Sequence, residues 1–214
     1  MTGLLYKITR LFLPLLVLAS LLPLQADADP AVEELKAGFR QLWMEHAFWM
    51  RNYIVSASAG LDDQSVVLAR LLDHQQDIGD AIKRYYGETA GNKLADLLRE
   101  HVLVAGKYLD AVQRGHREDA YKYKDDWYRN AEDIAVFLSQ TNSRWSFETL
   151  NGLLNRHMDL VTADFNARLN KDWPADINAF DQGKDHLLKL ADVLASGIVQ
   201  QFPQKFGMPG TGGK

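Results

Sequence analysis

From Pro30 to Phe202 the chain repeats one pattern: apolar side chains return every three or four positions, with charged and amide residues between them. Turn-forming clusters interrupt the pattern at 60–63 (GLDD), 87–90 (GETA), 115–116 (GH), 142–145 (NSRW) and 171–174 (KDWP). The spacing predicts six helices, over 30–59, 64–86, 90–114, 118–141, 146–170 and 174–202. Ser146 is suited to cap the fifth, and Pro174 to the first turn of the sixth. Short connections make sequential helices antiparallel, so the expected fold is all-α, an up-and-down bundle of about six helices. The prolines agree: all six fall outside residues 31–173, a stretch too long without proline for a loop-rich β protein.

The helices also repeat one another. Leu42-Trp43-Met44-Glu45-His46, Leu97-Leu98-Arg99-Glu100-His101 and Leu153-Leu154-Asn155-Arg156-His157 share one pattern, with histidines 55 and 56 residues apart. Asp77-Ile78, Asp133-Ile134 and Asp192-Val193 follow those histidines by 31, 32 and 35 residues. The chain therefore reads as three αα-hairpins of one kind.

Helical spacing then places the histidines. The expected inward stripes are Leu35, Phe39, Leu42, His46, Trp49 and Tyr53 in the first helix, and Val67, Leu71, His74, Ile78 and Tyr85 in the second. The third gives Leu94, Leu98, His101, Ala105 and Tyr108, the fourth Trp127, Asn130, Ile134 and Leu138, and the fifth Leu150, Leu154, His157, Val161 and Phe165. In the sixth the stripe is Ala179, Gly183, His186, Leu190, Val193 and Gly197, whose small members allow close packing. Five of the six histidines thus point inward at similar depth, and only His116, in a turn, faces solvent. With Asp77 and Asp133 they are expected to form a polar layer inside an apolar, aromatic-rich bundle.

Neutral imidazole ligates first-row metals, and aspartate ligates them or orients the far ring nitrogen. The expected site is His46, His101, His157, His74, His186, Asp77 and Asp133, holding a divalent transition metal: Zn, Fe, Mn, Cu or Ni. The plainer reading is a hydrogen-bonded His/Asp layer that fixes register among similar helices. Any metal is expected to be held by nitrogen and oxygen rather than by thiolate, because the chain has no cysteine. The same absence excludes disulfides, thiol catalysis and Fe–S clusters.

Composition removes other classes. With 28 acidic and 24 basic residues, nothing invites nucleic acid. There is no phosphate-cradling loop, dinucleotide fingerprint or nucleophile elbow, and no E-x-x-H or H-E-x-x-H pair. Glu45 and Glu100 lie about 100° from the histidines they precede, which suits a surface role better than catalysis. The tryptophans and Met44, Met50 and Met158 have core spacing, though they are also able to line an apolar cavity. Arg51, Arg84, Arg129 and Arg168 are read as forming surface ion pairs, with anion binding as the alternative.

Residues 1–28 are different in kind. Lys7 and Arg10 precede the apolar run 11–24, which Pro14 and Pro23 interrupt, and Ala26-Asp27-Ala28 has the small-residue spacing of a cleavage site. The run is short for a membrane span. A cleaved export signal is expected, leaving a single helical domain over 29–206 and a disordered tail over 207–214. The implied location is the periplasm in a Gram-negative source, with membrane contact only through an uncleaved leader.

The segments 74–82 (HQQDIGDAI), 127–134 (WYRNAEDI) and 191–203 (ADVLASGIVQQFP) resemble a bacterial helical-bundle family without an established role. Its members sometimes carry labels such as acetylglutamate kinase or glycosyltransferase. The resemblance spans about residues 40–203; it implies an all-α fold and supplies no functional residues. No phosphate cradle or alternating β/α pattern supports those labels. Three readings stand: an exported bundle binding a transition metal for storage, buffering or sensing; a non-catalytic envelope bundle with a hydrogen-bonded core layer and a protein partner; and a metal-dependent enzyme. The balance is against an enzyme.

Overall fold

The first helix starts where its backbone donors find an acceptor: Asp29 takes the Ala31 N–H at 2.9 Å, and Pro30 occupies the first turn. This computed structural model describes residues 29–209; the expected leader over 1–28 and residues 210–214 of the expected tail lie outside it. Helix α1 spans Pro30–Ala59, α2 Gln64–Arg114, α3 Arg117–Thr141, α4 Phe147–Leu169 and α5 Trp173–Gln201, followed by a 3-10 turn at Pro203–Phe206. Ser146 caps α4 by accepting from the Thr149 N–H, and Asp172 caps α5 by accepting from Ala175. Gly60 and Gly115 end α1 and α2 in the left-handed conformation. Gly207 ends the final turn in the same way, and Met208 packs against the core.

Among the described residues five helices stand where six were expected, because the second and third abut at a kink at Gly87 with no loop between them and run together as α2. The backbone nevertheless breaks there. Gly87 sits at φ 83°, ψ 170°, a region open essentially to glycine alone. The arms of α2 then fold back on each other. Gly79 and Gly91 would be about 18 Å apart in a straight helix. Instead, a Cβ on Gly91 would lie 2.7 Å from the Gly79 carbonyl oxygen. Arg99 of the second arm donates to the Gln76 side chain of the first at 2.7 Å.

Neighbours in the bundle are α1 with α2, α2 with α3, α3 with α4, and α4 with α5, and α5 closes the ring against α1. Across the middle, α4 also touches α1 and α2. Trp145, in the α3–α4 connection, fits a notch at Gly197, where any side chain would collide with its indole. Among the described residues, no helix is long and apolar enough to cross a membrane.

Two stripes are rotated from expectation. In α1 the buried residues are Leu35, Phe39, Trp43, His46, Met50 and Tyr53, while Leu42 and Trp49 are half-buried. In α5 Leu187, Leu190, Leu194 and Ile198 face inward, leaving His186 and Val193 on the flank. Each helix meets neighbours on both sides, so its buried arc is wider than one line of residues.

Candidate functional site: an internal row of imidazoles

The seven expected site residues are brought together in part. His46 from α1, His157 from α4 and His101 from the second arm of α2 form a row in the core. His157 is in the middle, its ring centroid 5.7 Å from His46 and 6.2 Å from His101. All three are buried. Asp77 and Asp133 are exposed, so neither of these carboxylates completes the layer. Each lies three residues beyond an inward polar residue, His74 or Asn130, and turns out toward the flank. His116 is exposed, as expected. Among the described residues, no group of three or more histidine, aspartate and glutamate side chains is arranged to hold a metal ion.

Three of the polar residues make one repeated interhelical bond. His74 Nε2 donates to the Leu42 carbonyl at 2.8 Å, Asn130 Nδ2 to Leu97 at 3.1 Å, and His186 Nε2 to Leu153 at 2.8 Å. Each acceptor lies four residues before a histidine of the central row. The Nδ1 of His74 faces Asp77 at 3.2 Å and the half-buried Glu45 at 3.8 Å.

His101 has both nitrogens occupied. The Trp127 indole donates to its Nε2 at 2.9 Å, and its Nδ1–H donates to Asn130 Oδ1 at 2.8 Å. These bonds fix the ring as a neutral imidazole protonated at Nδ1. His157 is the opposite case: neither Nδ1 nor Nε2 has a hydrogen-bond partner among the described residues. His46 has one long contact, from Gln75 Nε2 at 3.4 Å. Gln75 Oε1 and the Trp43 indole N–H, both beside His46, are also unpartnered among the described residues. Buried polar groups ordinarily find partners, so this concentration around His46 and His157 marks the spot as chemically unusual.

Electrostatics follow burial. It pushes the His46 pKa down to about 3, helped by the neighbouring charges of His74 and His101. It pushes His101 down to about 4 against the pull of Asn130, and His157 well below the ordinary value. All three are neutral at pH 7.

A small cavity of about 30 Å³ adjoins the row, lined among others by Met50, Arg51, His157, Asp164, Phe180 and Gly183. That is room for a water or an ion and far below the roughly 300 Å³ of a small-molecule pocket. Beyond it lies a charge network that sequence reasoning missed. Arg51 bonds both Asp164 and Asp176, and Arg168 donates to Asp176 at 3.0 Å and to Ser58 at 3.2 Å. Burial pushes Asp164 up to about 7, while hydrogen bonds from Arg51 hold Asp176 at about 2. Asp164 was legible, because it stands seven residues after His157 on the same face of α4. Of the other arginines, Arg84 stacks on Tyr85 and Arg129 pairs with Asp126.

Comparison with known proteins gives no relative: no protein family, no curated protein and no solved structure matches the chain.

Proposed function

We propose that this is an exported, non-catalytic helical bundle that takes up one transition-metal ion at His46 and His157, for storage, buffering or sensing. The observation that carries the reading is the His157 imidazole, fully buried with two nitrogens unpartnered among the described residues. A neutral ring kept out of hydrogen bonds is a ligand held ready, whereas His101 has both nitrogens engaged. His74 and His186 belong to the framework rather than the site, since each is directed at a neighbouring helix carbonyl.

The reading includes a three-hairpin origin. Support comes from the three equivalent bonds to Leu42, Leu97 and Leu153 and from the fold-back of α2 at Gly87. Kinship with the bacterial family resembled by 74–82, 127–134 and 191–203 is part of the proposal and is supported by the all-α fold. Export with cleavage after Ala28 is supported by α1, which begins directly beyond that point with Asp29 as its cap.

Elemental analysis of protein purified without tag or chelator tests the metal reading. About one equivalent of metal, or stabilisation by added Zn, Cu, Ni, Fe or Mn, is expected. No metal together with no stabilisation by any of them refutes it. The second reading, a purely structural layer, is favoured by the satisfied state of His101. It predicts that histidine substitutions change stability and never metal content.

A further inference from the structure

The donors around His157 say which kind of metal ion the core tolerates. They are two imidazoles, His46 and His157, and the thioether of Met50, which stands one turn after His46 and shares the cavity wall with His157. All are neutral. Carboxylates that would offset a double charge are exposed or already paired: Asp77 and Asp133 are exposed, and Asp164, on the cavity wall, and Asp176 are bound to Arg51 and Arg168 in a network with no net negative charge. The cost of burying an ion rises with the square of its charge, so a dication without compensation costs about four times as much to bury as a monocation. Coordination number points the same way. Zn(II) takes four ligands in a structural site, and no larger set of histidine and carboxylate ligands converges among the described residues. Thioether and imidazole without thiolate or carboxylate make a soft, low-coordinate set, which suits Cu(I).

We propose that the His46–His157–Met50 cluster is a binding site for a monovalent d10 ion, Cu(I), with Ag(I) as its redox-stable surrogate. Binding moves no electron, because the metal enters and leaves as Cu(I). The inference rests on the transition-metal reading above and narrows it from divalent metals to a monovalent one. Arg51, on the cavity wall, faces Asp164 and Asp176 and leaves His157 and Met50 as the donors the cavity presents to an entering ion, with His46 behind them at 5.7 Å from the His157 ring centroid.

The test is an anaerobic competition titration of the full chain with a chromophoric Cu(I) chelator, beside a Zn(II) titration with a chromophoric indicator. Expected are one Cu(I) per chain, at least 100-fold preference for Cu(I) over Zn(II), at least 100-fold weakening in His157→Leu, and about tenfold weakening in the volume-conserving Met50→Leu. Ag(I) should compete with Cu(I) at the same stoichiometry. If Zn(II) or Ni(II) binds and Cu(I) does not, the monovalent assignment fails and the metal reading stands. If no metal binds, both fall. Cu(I) binding undiminished in both variants overturns the placement of the site.

Discussion

His101 gives and receives a hydrogen bond, from Trp127 and to Asn130, whereas His157, its stacked neighbour at 6.2 Å, has neither among the described residues. The same residue type in one buried row should therefore respond in opposite ways to loss of its ring. His101→Leu strands the Trp127 indole N–H and the Asn130 oxygen, each costing about 1–3 kcal/mol when buried unpaired. A loss of about 2–5 kcal/mol in urea unfolding is expected. His157→Leu removes an unsatisfied group and fills the space with carbon, so the metal-free protein should keep its stability or gain about 1–2 kcal/mol. A large loss in His157→Leu without metal would mean that its nitrogens are satisfied. The inward placement of both rings was legible from three-four spacing. Their bonding was not, because Trp127 and Asn130 reach His101 from a helix 26 and 29 residues away.

At the scale of the elements, Gly87 controls the shape of α2. Its φ of 83° with ψ of 170° admits almost only glycine, so Gly87→Ala should cost about 1–3 kcal/mol. Gly152 is an internal control: it is exposed within α4 with open space around its Cβ position. Gly152→Ala should raise stability by about 0.5–1 kcal/mol. Thermal unfolding of the two variants checks both signs. The GETA sequence at 87–90 announced the turn, and the helix count differs only because the two arms abut at the Gly87 kink with no loop between them. The α1 stripe was harder to read. Leu42 and Trp43 are adjacent and both apolar, and only the positions of α2, α4 and α5 around α1 decide that Trp43 is the buried one. Asp164 was passed over for a related reason. A carboxylate on an apolar face looks like an interruption until Arg51, 113 residues earlier, supplies its partner.

For the whole molecule, acid is the weak flank. His46 and His101 have folded pKa values of about 3 and about 4, and His157 is also depressed, all below the unfolded value near 6.5. Between about pH 6.5 and 4 the unfolded chain binds these protons and the folded one does not, so stability falls as pH falls. Asp164 acts in the other direction: its folded value of about 7 exceeds the ordinary 3.8, so it takes up a proton on folding across much of the same window. Three imidazoles opposed by one carboxyl leave a net of about two protons near pH 5, so stability falls most steeply there, by roughly 3 kcal/mol per pH unit, and more gently between pH 7 and 6. Urea unfolding of the metal-free protein at pH 7, 6 and 5 should show that decline. His101→Asn should reduce the slope by about one proton, and a flat profile would contradict neutral burial of the row. The overall class was legible because a bundle is written locally, in periodicity and caps. The site was less so, because it depends on which nitrogens remain unbonded once the helices meet.

In the proposed site His157 is the free ligand and His101 the bonded one. Long-range proton–nitrogen NMR of the histidine rings at pH 7, with and without one equivalent of Ag(I), tests it most directly. Expected are His101 as the Nδ1-protonated neutral tautomer, unmoved by silver, and a shift of tens of ppm in one nitrogen each of His157 and His46. A spectrum in which silver leaves His157 and His46 unchanged, or moves His101 instead, would contradict it.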